Sequence, residues 1–251
     1  MALLTLGMLE RAGLRKIATD CGFDVLEDGD QWVAAASTQA PLRAWLAHTQ
    51  GGPVVGLSMP SVLAELGSVP TASLDAHLTP AAGWLAVPDL GVLDSTLMQA
   101  WRLSRALPNQ LEQRFAQQVS ALSNTERDAT VRQRVGQDLF REGLMTLWRG
   151  RCAISGLDVP ELLRASHAKP WATSTDAERL DVYNGLLLAA HLDAAFDAGL
   201  ITILANGTVG VSSSLTSHTT GVLQLDASIT VQLSPRHRAY LAWHRDHVFR
   251  R

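Results

Sequence analysis

Five polar side chains, His167, Asn184, His191, Asp193 and Asp197, lie inside otherwise apolar runs between Arg151 and Ile203 of a 251-residue chain. Polar groups set into core-forming sequence mark positions where chemistry, and not stability, selects the residue. An imidazole titrates near neutrality, so His167 can take a proton from water where a lysine cannot. Asp193 and Asp197 stand four apart, so on a helix they share a face and can both approach one cation. Their oxygens suit Mg²⁺ or Mn²⁺, while the nitrogen and sulfur set that zinc prefers is not assembled. The amide of Asn184 can bond backbone groups across a loop and so hold His167 in place. Structural alternatives stand beside each role: Asn184-Gly185 as a turn dipeptide, His191 and Asp193 as the favoured start of a helix, Asp197 as a cap or ion-pair partner, and His167 as a hydrogen-bonded core histidine.

The elements that must position these groups follow from periodicity. Val135, Leu139, Leu144 and Leu147 recur about one turn apart and predict a helix from Val131 to Trp148, whose arginines fall on its other faces. RCAISG turns the chain into LLRASHAKPW. Beyond the central stretch, ITILANGTVGV reads as a hairpin about Asn206-Gly207, ITVQLS as a last strand, and SPRHRAYLAWHRDHVFRR as a terminal helix. His237, His244 and His247 place that helix as a cationic element packed on its neighbours or touching phosphate, with a His244/His247 metal pair as the alternative.

The N-terminal half reads as a small α+β domain. An amphipathic helix runs through Leu6, Leu9, Leu14 and Ile17 to a stop at Gly22, followed by a hairpin about Asp28-Gly29-Asp30. Residues 40–48, opened by Pro41, suggest a short helix; GGPVVGLS suggests a buried strand, PSVLAEL a helical turn, and GWLAVPDL another strand. GSVPTASLDAHLTPAAG is a loop by composition, and residues 93–122 predict two helices broken at Pro108. Polar SNTERDAT marks the boundary, giving domains 1–126 and 127–251. His48 and His77 lack a nearby ligand-spaced partner and read as surface or hydrogen-bonded residues; Trp32, Trp45, Trp84 and Trp101 read as core, with base stacking as the alternative.

Composition describes an ordinary folded protein, 47% hydrophobic with a formal charge of -3. The balance is uneven: residues 1–126 carry 7 Lys/Arg against 12 Asp/Glu, and residues 127–251 carry 14 against 12. Arg149, Arg151, Arg164 and Lys169 lie on the approach to the five polar residues and are candidate nucleic-acid contacts, with a solvated basic face as the alternative. Cys21 and Cys152, far apart and outside any CxxC, support neither a disulfide framework nor a cysteine zinc site, and fit a reducing cytoplasm. The apolar N-terminus is interrupted by Glu10 and Arg11 too early for a membrane span.

In order, CAISG, VPELL, ASHAKPW, NGLLL and FDAGLI resemble the HNH endonucleases, and the resemblance covers about residues 131–211 with the closing YLAWHRDHVF. It implies a ββα-metal unit in which His167 closes a first strand, Asn184 opens a second, and a helix beginning at His191 carries the ligands, with ATSTDAERLDVY as a surface loop between the strands. It further implies hydrolysis of a DNA phosphodiester, His167 as general base and Asp193, with His191 or Asp197, holding one Mg²⁺-like ion; Asp193 stands nine residues after Asn184, where members carry a ligand. Two departures stand out. Aspartate occupies position 193 with the histidine two residues earlier, and Ser166 precedes the base where many members carry an acidic or histidine ligand. By resemblance the setting is restriction or other defence, with double-stranded DNA as partner, a homodimer if both strands are cut, and residues 1–126 choosing the target. The alternatives are a degenerate module that grips DNA without cutting, and a nuclease toxin held by an immunity partner.

Overall fold

A computed structural model describes residues 2–67, 80–120, 126–225 and 228–251. His77 and parts of the 67–83 and 123–130 segments lie outside the described residues. The fold is mixed α and β, and the chain divides into two compact units, Met1–Arg105 and Ala106–Arg251.

In the first unit, helix α1 (Met8–Asp20) precedes β1 (Val25–Asp28) and β2 (Trp32–Ala36), the hairpin expected about Gly29. Strands β3 (Arg43–Thr49) and β4 (Gly52–Leu57), helix α2 (Pro60–Leu66), strand β5 (Gly83–Ala86) and helix α3 (Leu90–Ala106) follow. The five strands form one antiparallel sheet in sequence order. The expected short helix at 40–48 is thus a central strand. Its apolar residues are buried on both faces, which erases the alternation that distinguishes a strand from a buried helix, and hydrogen bonds to β2 and β4 decide the outcome. Trp45 and Trp84 pack with Leu3, Ala47 and Val54, with Trp32 at the margin, and the Trp101 Nε1–H donates to Ser37 Oγ at 3.2 Å.

The second unit opens with α4 (Pro108–Val119), started by the expected break at Pro108, which groups with this unit and not with the residues before it. It packs on α5 (Glu126–Leu147), where Arg114 grips Glu142 through two bonds of 3.0 and 2.6 Å. The chain reverses after α5 through left-handed Arg149 and Gly150, then enters β6 (Leu163–His167). A 17-residue excursion carries a 3₁₀ turn at Trp171–Thr173, helix α6 (Asp176–Leu180) and a 3₁₀ turn at Val182–Asn184 before β7 (Gly185–Ala189), which pairs antiparallel with β6. Helix α7 (Ala190–Asp197) leads into the hairpin of β8 (Ile201–Ile203) and β9 (Val209–Val211), then α8 (Ser217–Val222) and α9 (His237–His247). The strand expected in ITVQLS reduces to one bridge, Thr208 with Thr230. Among the described residues only Val209 and Val231 donate across that pairing, to Ile229 and Gly207, too few bonds for a ladder. Among the described residues no helix is long and apolar enough to cross a membrane.

Candidate active site

The β6–β7 ribbon and α7 form a ββα unit, with α5 against the same two strands. The glycine of Asn184-Gly185 is required by space: a Cβ there would stand 2.8 Å from the Ser166 carbonyl and would collide with the Phe140 ring. Its absence lets Phe140, projecting from α5, stack on the His167 imidazole with centroids 3.7 Å apart. Trp171 meets the same ring edge-on at 5.8 Å.

His167 ends β6, opposite Gly185. Its Nε2 lies 3.0 Å from the Arg179 carbonyl. A carbonyl only accepts, so Nε2 carries the proton and Nδ1 is left as the basic nitrogen. Burial pushes the His167 pKa down, the Arg179 carbonyl opposes that, and the Arg179 guanidinium adds to it. The net effect is an imidazole neutral near neutral pH, the form that can accept a proton.

Asn184 is fully buried and bonds the excursion from inside. Its Oδ1 accepts from the Lys169 N–H at 2.8 Å, and its Nδ2 donates to the carbonyls of Glu178 at 2.9 Å and Lys169 at 3.2 Å and to Ser174 Oγ at 3.4 Å. Arg179 belongs to that excursion, so the carbonyl that orients His167 stands on a segment that Asn184 ties down. The capping box of α6, Thr175 with Glu178, adds a second tie, and Lys169 Nζ reaches both Glu178 oxygens at 2.7 Å. Tyr240 of α9 donates to Asp181, which itself caps the turn into Asn184.

Ser166 turns toward α7 and donates to Asp197 at 3.3 Å. Asp193 and Asp197 flank it, and both carboxyl groups are held above the ordinary aspartate range. For Asp193 the cause is burial, opposed by a bond from Ser166 and the charge of Arg164; for Asp197 it is burial and then the negative charge of Asp193. Two half-buried carboxyl groups, one of them raised further by the charge of the other, are a place where a cation relieves repulsion. Ser166, His167, Trp171 and Asp197 line one cleft of about 370 Å³, whose wall includes His244.

The remaining expected residues separate from this centre. His191 is exposed on the first turn of α7, two residues from Asp193 and so turned away from its face. Arg164 bonds the carbonyls of Glu161 and Leu163 while its charge acts on Asp193. Lys169 is committed to Glu178. Arg149 is exposed at the end of α5, and Arg151 pairs with Asp158 at 3.4 Å on the surface. The α9 histidines are not a metal pair: His244 is buried, bonded to Thr202 and the Phe196 carbonyl and stacked on Phe196, while His247 stacks on Trp243.

Among the described residues, no group of three or more His, Cys, Asp or Glu is placed to hold a metal. The donor set is instead two carboxylates and one hydroxyl. That fits Mg²⁺ or Mn²⁺, which keep waters and take substrate oxygens to complete their shell, and does not fit zinc.

Sequence reasoning missed Phe140, the Arg179 carbonyl, and Trp171 as a wall of the site. Phe140 carries no signal beyond an apolar position on α5, and a backbone carbonyl carries none at all.

Residues 152–204 match the family model described as HNH endonuclease. The matched residues run from Cys152, through β6, β7 and α7, to the end of the β8 strand, and so contain His167, Asn184, Asp193 and Asp197. No curated protein matches the chain. The match makes this stretch similar to a nuclease domain and leaves the first unit unassigned.

Proposed function

We propose that this chain is a metal-dependent endonuclease that hydrolyses phosphodiester bonds of double-stranded DNA. The observation that carries the reading is the setting of His167: a neutral imidazole, its Nε2–H fixed on the Arg179 carbonyl, opening into a cleft shared with Ser166 and Asp197.

His167 Nδ1 takes the proton of an attacking water, and the Phe140 stack and Trp171 edge limit the ring to one orientation. Asn184 acts at one remove, holding the segment that carries the Arg179 carbonyl. Asp193 and Asp197, with the Ser166 hydroxyl, are the residues that would hold Mg²⁺ or Mn²⁺, which supplies positive charge toward the phosphate oxygens and the leaving oxygen. His191 is outside this set. Arg149 and Arg151, exposed at the turn after α5, are offered as phosphate contacts that position DNA without reading it. Restriction or related defence is the setting proposed, with the first unit choosing the target.

The test is supercoiled-plasmid cleavage with Mg²⁺, Mn²⁺ or chelator, comparing wild type with His167→Ala and Asp193→Ala. Metal-dependent nicking or linearisation, lost in both variants, is the expected result; cleavage that persists in His167→Ala removes the base assignment. A second reading, a module that binds DNA without cutting, is favoured by the small acidic ligand set. It requires retained binding, unaffected by chelator, with no cleavage by wild type.

A further inference from the structure

Trp171 walls two cavities. One is the cleft of His167. The other, of about 240 Å³, lies between α4, α5 and α6, with Phe115, Arg132, Gln133, Asp176 and Arg179 among its lining residues. Nothing in the proposed chemistry uses this second cavity.

Its construction is specific. Gly136 faces Trp171 from α5, and a Cβ there would stand 2.6 Å from the ring tip and 3.5 Å from Phe115, so glycine lets the indole close against the helix beside the phenyl ring. Arg179 is fixed from three sides: Nε donates to the Trp171 carbonyl at 3.0 Å, Nη1 to Asp176 at 2.8 Å, and the guanidinium lies 5.1 Å from the centre of the indole. The same residue's carbonyl holds His167. Two aromatic rings thus meet an arginine, a carboxylate and the amide of Gln133 in one recess.

Aromatic walls with convergent donors and acceptors suit a planar heterocycle with polar edges. The volume is that of about eight waters, room enough for one base. The Trp171 centroid stands 5.8 Å from His167, and successive nucleotides on a strand rise about 3.4 Å, so a base one or two steps from the reacting phosphate reaches the far side of the indole. We propose that this cavity receives a single nucleobase of the DNA strand adjacent to the scissile phosphate, stacked on Trp171 and Phe115 with its edge read by Gln133 and Asp176. The proposal rests on the nuclease reading and adds to it a base unstacked from the duplex beside the cut.

Binding and cleavage are read separately. Protein labelled with 5-fluorotryptophan is titrated with dAMP and, in parallel, with 2-deoxyribose 5-phosphate, following the ¹⁹F resonance of Trp171 assigned through its loss in Trp171→Phe. A saturable shift with dAMP, absent with the sugar phosphate and at least tenfold weaker in Gln133→Ala and Phe115→Ala, is the expected result. Gln133 is exposed, so its variant folds even if the Phe115 variant does not. No dAMP shift, equal shifts from both probes, or an undiminished shift in Gln133→Ala overturns the pocket. Plasmid cleavage by the same wild-type protein reports independently on the nuclease: cleavage without a dAMP shift removes the pocket alone, and a dAMP shift without cleavage removes the nuclease alone.

Discussion

Replacing Asn184 separates the site's architecture from its chemistry, because the side chain touches the excursion between the strands and has no described contact with the imidazole of His167. Asn184→Ala strips the Lys169 N–H and the Glu178 carbonyl of their short bonds of 2.8 and 2.9 Å and removes two longer ones, to the Lys169 carbonyl and Ser174 Oγ. Each buried backbone group left without a partner costs about 1–3 kcal/mol, and the vacated side-chain volume adds to that. Water entering from the exposed face of the excursion recovers part, so the net loss is about 3 kcal/mol. For a unit of roughly 150 residues this lowers Tm by about 6–12 °C. The Arg179 carbonyl loosens with the segment, His167 loses its fixed tautomer and orientation, and turnover per folded molecule falls about 100-fold, the penalty of an ångström-scale misplacement.

Asn184→Asp sharpens the test. It keeps the shape and the acceptor for Lys169 N–H, but sets a buried carboxylate against the carbonyls of Lys169 and Glu178, so it is at least as damaging as alanine. The assays are a circular-dichroism melt and plasmid nicking under single-turnover conditions at a temperature where both variants are folded. An unchanged Tm in Asn184→Ala refutes the hydrogen-bond accounting. A lowered Tm with wild-type turnover refutes the link from Asn184 through Arg179 to His167.

Gly185→Ala adds a methyl where Phe140, Leu144 and the Ser166 carbonyl already close in, and is expected to cost about 1–3 kcal/mol and tilt the His167 stack, seen as a shifted His167 ring resonance and slower nicking; an unperturbed resonance contradicts the close-approach argument. His237 is buried beside Trp148 and Tyr183 with Nε2 unpartnered, and burial lowers its pKa to about 4 from 6.5. Because the unfolded chain takes up that proton first, stability is full above about pH 6.5 and falls toward pH 4, by about 2 kcal/mol between pH 7 and 5 in urea titrations. His237→Leu flattens that slope without abolishing it, since burial also lowers His167 and His244; an unchanged slope rules His237 out as its source. Lys169→Met lowers Tm by a few degrees through loss of the half-buried Glu178 pair and leaves the salt dependence of DNA affinity intact, whereas Arg149→Gln reduces that slope by about one; the opposite pattern exchanges their roles.

What the sequence discloses here, and what it conceals, follows from the range of the interactions involved. The Asn206-Gly207 hairpin, the break at Pro108 and the end of α1 near Gly22 are local, each set by the backbone freedom or rigidity of one residue. The glycine expected to supply a positive φ at the β1–β2 turn, Gly29, has none and is required by space, a Cβ there standing 2.6 Å from the Trp32 ring. The β3 strand is not local: Arg43 to Thr49 has no pattern of its own, and its state is fixed by β2 and β4 on either side. The site shows the same division. His167, Asn184, Asp193 and Asp197 are visible as polar residues at fixed spacing, but the spacing of His191 misleads, because two residues along a helix point nearly opposite ways.

The orientation of His167 arises between segments distant in sequence. Phe140 stands 27 residues before it and Arg179 12 after, and they act through a ring face and a backbone carbonyl that no residue type announces. The excursion between the strands, legible only as a surface loop, is where they meet: Asn184 bonds it inward, Tyr240 and Asp181 bond its last turn to α9, and Trp171 returns from it to stand between the His167 cleft and the second cavity. A substitution in this segment therefore reaches the imidazole without touching it. Loss of turnover from a change at Asn184 or Gly185 should accompany loss of order across residues 168–184, while loss from His167→Ala should leave that order intact. Hydrogen exchange of the Lys169 amide, bonded at 2.8 Å to Asn184, separates the two: fast exchange in the first pair of variants and native protection in His167→Ala is the pattern this architecture requires.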